Sequence, residues 1–239
     1  MRKLIAIIAV VFFSTFLVLQ ASPSVMAQSS NSSGNIVVQT IPGQTLAQNV
    51  AQRAKNSWPW YIVRGSGFVA AFCLVILMVS GVGLVTGYTF KFLEPLTAWA
   101  SHRALGIVMA IALLVHMLGL LFDHFVPFDI MSLLVPWISN YKPVTIFGLH
   151  LGSLFVALGV LSFYGTVLVV LTSLLWVEKK KRLWKLTHLL SYIVMAFVFV
   201  HALFLGTDLA GGPLRLIWIA LAICLAAVFL HRLWRAKTV

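Results

Sequence analysis

The sequence predicts an all-α integral membrane protein, a bundle of five transmembrane helices after an N-terminal signal peptide. Three observations point there. Five apolar runs are each long enough to cross a bilayer as a helix. The chain is 61% hydrophobic and only 9% charged, which no ordinary soluble domain resembles. Alternating ten-residue segments of a β-barrel are not visible, and lipid tolerates no open sheet or free loop in their place.

Charge fits the same class. The formal net charge of +12 would suggest nucleic acid on a soluble protein. Here the basic residues concentrate in one loop, EKKKRLWK (Glu178 to Lys185), and at the C-terminal HRLWRAK. The positive-inside rule accounts for both, and no nucleic-acid partner is expected. Cys73 and Cys224 both fall in apolar segments, so no structural disulfide is expected. No CxxCH occurs, which excludes a covalently attached c-type haem on motif grounds. No GxGxxG or other phosphate loop occurs either, so the chain is expected to lack a flavin or nicotinamide domain of its own.

Residues 1–27 read as a signal peptide. Arg2 and Lys3 supply the positive start, Leu4 to Leu19 the apolar core, and Val25-Met26-Ala27 the cleavage site. An uncleaved first helix is the alternative reading, and it leaves the topology of the five spans unchanged. Residues 28–57, rich in Gln, Asn and Ser, read as a flexible exported arm. Residues 58–239 form the membrane domain. Its helices are expected over about Trp60–Tyr88, Trp99–Phe122, Phe147–Trp176, Trp184–Leu205 and Pro213–Leu233. Trp58, Trp60 and Tyr61 make an interfacial belt, and the glycines of the first helix allow close approach of a neighbour or a flat cofactor. The basic loop and C-terminus belong inside, the loop with Asp123 and Asp129 and the turn with Asp208 outside. The N-terminus is then outside, in a cell (inner) membrane. Arg53, Lys55 and Arg64 on the outer side run mildly against that scheme.

Four histidines lie in two of the spans: His102 and His116 in the second, His188 and His201 in the fourth. A polar ring in hydrocarbon needs a partner. The first pair is 14 residues apart, about 21 Å along a helix and within about 40° of one face. The second is 13 apart, about 20 Å, but nearly 140° off one face, which some local change of winding must absorb. Both helices run the same way through the membrane. His102 and His188 then share an inner level, and His116 and His201 an outer one. Each level suits one six-coordinate iron between two imidazoles, hence two b-type haems. A lone intramembrane histidine often serves only a helix–helix hydrogen bond; two pairs at matched depths favour ligation. A proton relay would recruit intramembrane carboxylates, and these spans contain none. Arg103, with Arg182 and Lys185, lies near the inner level and suits haem propionates, although positive-inside placement explains these charges as well. His150 reads as an interfacial residue or an outer-haem contact, His124 as solvated loop, and His231 as a cation suited to a helix terminus. No catalytic residue is identified.

The stretches HRALGIVMAIALLVH, PVTIFGLHLG and WKLTHLLSYIVMAFVFVH resemble the ferric reductase-like transmembrane domain. That family includes eukaryotic ferric reductases, the membrane part of NADPH oxidases and the bacterial haem subunit of the methionine sulfoxide reductase system. The oxidases are similar in their unequal spacing, 14 then 13, and the likeness covers about Arg64 to Asp208. It implies that His102, His116, His188 and His201 ligate haem, and that electrons pass from a cytoplasmic donor to an outer acceptor. The oxidases and eukaryotic reductases add a FAD/NADPH domain and use six helices. The stand-alone bacterial subunits fit this length better and imply a separate flavoprotein or quinol as donor. The expected role is thus the membrane oxidoreductase component of such a system, with ferric iron, oxygen, a periplasmic reductase and quinone all open as acceptors. Two rivals stand beside it. A respiratory cytochrome b subunit would also carry haem but exchange electrons with quinone. A non-redox assembly or transport module would carry none, and a transporter would show paired repeats with broken helices, which the sequence does not display.

Overall fold

The structure, a computed structural model, describes residues 46–123, 128–146, 149–150 and 153–235. The expected signal peptide and most of the exported arm, together with His124, lie outside the described residues. The chain divides into two units, Met1–Trp58 and Pro59–Val239. Of the first, the helical stretch 46–58 is described; everything below concerns the second.

Seven α-helices are described: α1 (Leu46–Thr86), α2 (Pro95–Leu120), the short α3 (Ile130–Leu134), α4 (Leu154–Leu175), α5 (Lys181–His188), α6 (Leu190–Leu205) and α7 (Gly212–Arg235). Five spans are long and apolar enough to cross a membrane, α5 and α6 together forming the fourth. The fold is therefore the expected all-α bundle. Helical backbone begins at Leu46, inside the stretch read from sequence as an arm. The third long helix starts at Leu154 rather than near Phe147, because Ser153 caps it, its Oγ accepting from the Val156 N–H at 3.3 Å. His150 accordingly does not open that helix. It sits in β2 (Leu149–His150), which pairs antiparallel with β1 (Thr145–Ile146).

The turns follow from residue type. Gly87 ends α1 with φ +74°, and Pro95 opens α2 at a position that has no use for a backbone N–H. The tightest packing is between α4 and α6. Gly165 lets Val194 approach so closely that an added Cβ would stand 2.5 Å from it, and Ala157 and Met195 are fully buried. Phe155 stacks on Phe204 at 4.1 Å. α7 joins through Phe199 and Trp218, stacked at 4.3 Å, with the indole N–H donating to the Phe199 carbonyl at 3.1 Å.

Two further features bear on the site. The fourth span changes winding just after His188: the Leu189 N–H still bonds the Lys185 carbonyl at 3.2 Å, but the Tyr192 N–H reaches back only three residues, to the Leu189 carbonyl, at 3.3 Å. A 3₁₀-like step turns about 120° per residue against about 100° in an α-helix, so it recovers part of the angle a 13-residue spacing lacks. The long loop before α4 is also tied down. Asp129 caps α3, the Ser153 N–H donates to the Ser139 carbonyl at 2.8 Å, and the Tyr164 hydroxyl donates to the Leu134 carbonyl at 2.6 Å. Lys142 Nζ adds a bond to the Phe204 carbonyl, at the far end of α6.

Candidate functional site

Apolar helices offer few side-chain acceptors, so a buried histidine must find backbone or a hydroxyl. All four intramembrane histidines do so across a helix boundary, and each uses Nδ1. His116 Nδ1 lies 2.8 Å from the Val63 carbonyl of α1, and His201 Nδ1 lies 2.8 Å from the Phe155 carbonyl of α4. His102 Nδ1 meets Ser80 Oγ of α1 at 2.9 Å, and His188 Nδ1 meets Ser173 Oγ of α4 at 3.2 Å.

Two of these partners settle where the proton sits. A carbonyl only accepts, so Nδ1 of His116 and His201 carries the hydrogen and the lone pair is left on Nε2. A hydroxyl can donate or accept: Ser80 Oγ also reaches the Leu77 carbonyl at 3.2 Å, and Ser173 Oγ also accepts the Trp184 indole N–H at 3.1 Å. His116 and His201 are thus held by one nitrogen with the other available as a ligand, and His102 and His188 are held at the same nitrogen by a hydroxyl.

Glycines make this approach possible. A Cβ on Gly159 would stand 2.5 Å from Cε1 and Nδ1 of His201. One on Gly67 would stand 3.2 Å from His116 Nδ1, and one on Gly81 3.3 Å from His102 Cε1. Gly67 and Gly159 each lie four residues after the accepting carbonyl, one helical turn along the same face.

One predicted pair lies close together: the ring centres of His102 and His188 are 6.2 Å apart. Metal–imidazole bonds of about 2.0 Å on both sides, with roughly 1 Å more from each nitrogen to its ring centre, require about 6 Å. His116 and His201 are held to α1 and α4 by a matching pair of backbone carbonyls. Among the described residues no cluster of three or more His, Cys, Asp or Glu could hold a bare metal ion. Two imidazoles with nothing else suit a macrocycle that brings four nitrogens of its own.

The chain matches the family described as ferric reductase like transmembrane component over residues 66–199, more than half its length. It belongs to that family. Its members typically bind haem, and the membership carries a membrane electron-transfer role and a multi-pass membrane location. The matched region contains His102, His116 and His188 and ends two residues before His201. Comparison with curated proteins and with solved structures returns no significant match.

The remaining sequence-predicted residues are placed as follows. Arg103 is exposed beside His102 and forms no ion pair among the described residues. Arg182 and Lys185 are exposed on α5, about two turns and about one turn before His188 respectively. Sequence reasoning missed Ser80, Ser173 and the two carbonyls. It also missed Arg232 of α7, which bonds the Tyr192 hydroxyl of the fourth span. Arg64, the charge that sat badly with an outer location, is ion-paired with Asp208 and stacked on Trp60 at 4.6 Å.

Proposed function

We propose that this protein is a transmembrane electron conduit in which His102 and His188 hold one haem b and His116 and His201 a second. The observation that carries the reading is that all four imidazoles, on the second and fourth spans, are anchored through Nδ1 to an adjacent helix, so that Nε2 is the nitrogen of each that would ligate. Bound there, haem supplies a one-electron centre at each depth of an otherwise insulating bundle.

The protein's own residues do the rest. Val63 and Phe155 fix the tautomers of His116 and His201, and Ser80 and Ser173 hold the rings of His102 and His188 in position. The apolar helices exclude water and ions from the path. Arg103, Arg182 and Lys185 stand at the His102–His188 end, where they suit propionates. With the basic loop Glu178 to Lys185 on the cytoplasmic side of the inner membrane, electrons enter at that level from a separate flavoprotein or quinol. They leave at the His116–His201 level to an outer acceptor, beneath the anchored loop that bears α3. The protein is then the membrane component of an oxidoreductase.

The test is a count of haem in purified protein. Wild type is expected to bind two low-spin b haems per chain, and His116→Ala and His188→Ala one each. Wild-type protein that stays without haem when haem is supplied during expression would refute the proposal.

A further inference from the structure

The two levels are built alike but not from the same acceptors. At the His116–His201 level both rings face backbone carbonyls, each at 2.8 Å. At the His102–His188 level both face serine hydroxyls, at 2.9 and 3.2 Å. One of the hydroxyls is also shared. Ser173 already accepts from Trp184, and the Trp184 ring lies 5.4 Å from that of His188. An amide carbonyl is a stronger acceptor than a hydroxyl, and a hydroxyl oxygen that accepts twice is weaker still.

A ligand imidazole becomes more basic as its N–H is drawn toward an acceptor. A more basic ligand favours the ferric over the ferrous state, so hydrogen bonding around a centre moves its potential. We infer that Ser80 and Ser173 are positioning residues that set the His102–His188 centre at a higher reduction potential than the His116–His201 centre. The inference rests on the proposed haem sites and adds to them a gradient set by the serine hydroxyls that touch His102 and His188. An electron passing from the first level to the second climbs against this difference. A membrane potential positive outside offsets it, at about 2.3 kcal/mol per charge per 100 mV.

The experiment is a redox titration of the purified, haem-loaded protein, followed in the visible bands. His116→Ala and His188→Ala assign the two one-electron components. The component lost in His188→Ala is expected to have the higher midpoint. Ser80→Ala removes an acceptor and should raise that midpoint by up to about tenfold in the reduction equilibrium, about 59 mV for one electron. The other midpoint should not move, and Ser80→Thr, which keeps the hydroxyl, should stay near wild type. Trp184→Phe frees a lone pair on Ser173 and should shift the same midpoint downward. If Ser80→Ala does not fold, Ser173→Ala carries the same expectation. Two haems with midpoints indifferent to these changes, or a reversed order of the two components, would overturn the gradient and leave the conduit standing. Wild-type protein without haem would overturn both.

Discussion

Gly159→Ala is the smallest change that should empty one level and spare the other. The added methyl would stand 2.5 Å from Cε1 and Nδ1 of His201, whereas non-bonded carbon contacts settle near 3.5 Å or beyond. The ring must therefore move by about 1 Å. Its 2.8 Å bond to the Phe155 carbonyl then opens past hydrogen-bonding range. Overpacking and an unsatisfied buried N–H together cost about 2–6 kcal/mol, so affinity at that level should fall roughly 30-fold or more. Two comparisons grade the effect. Gly67→Ala meets His116 at 3.2 Å and needs a shift of only tenths of an ångström, so it should weaken the same level slightly. Gly65→Ala has nothing within 4 Å and should change nothing. The assay is haem stoichiometry with titration of haem into depleted protein. Gly159→Ala protein that binds two haems as tightly as Gly65→Ala would refute the reasoning.

Further predictions follow from single features. Inserting one alanine between Leu189 and Leu190 restores a 14-residue spacing but turns His201 by about 100° and lifts it about 1.5 Å; haem should be lost at the His116–His201 level only, by visible spectroscopy. Thr166 Oγ1 is buried with no partner among the described residues, so Thr166→Val should leave the thermal midpoint unchanged or raise it; a lower midpoint would contradict this. The Ser132 hydroxyl and backbone N–H hold the Asp129 carboxylate below its usual range. Its contribution to the α3 cap is therefore full above the ordinary aspartate pKa and lost as pH falls through the lowered one. Carboxyl-carbon titration should show that low midpoint, and Ser132→Ala should raise it.

The five spans were legible because hydropathy and length decide a crossing helix almost unaided. The histidine pairs were legible because a ring in hydrocarbon is conspicuous. Their acceptors were not. Val63 and Phe155 act through carbonyls, which every residue carries, so no side chain marks them. Ser80 and Ser173 read as ordinary small polar residues of apolar helices. A faint signal did exist: Gly67 precedes Ser80 by 13 residues and Gly159 precedes Ser173 by 14. The histidine spacings on the partner helices run the other way, 14 and 13. Each helix pair thus sets a glycine and a serine against the two histidines of its partner. The step at Leu189 was anticipated only as a need, since periodicity gives an angle and not the place where a helix changes winding. The two-residue strand pair before α4 is too short to leave a pattern. Arg64 was puzzling alone because its partner Asp208 lies 144 residues away.

The most direct test of the conduit places the protein in sealed vesicles loaded with ferricyanide, with dithionite added outside. The account predicts that haem-loaded wild-type protein consumes the trapped oxidant, and that His116→Ala and His188→Ala protein does not. Trapped ferricyanide that survives while both haems of the wild type become reduced would contradict it.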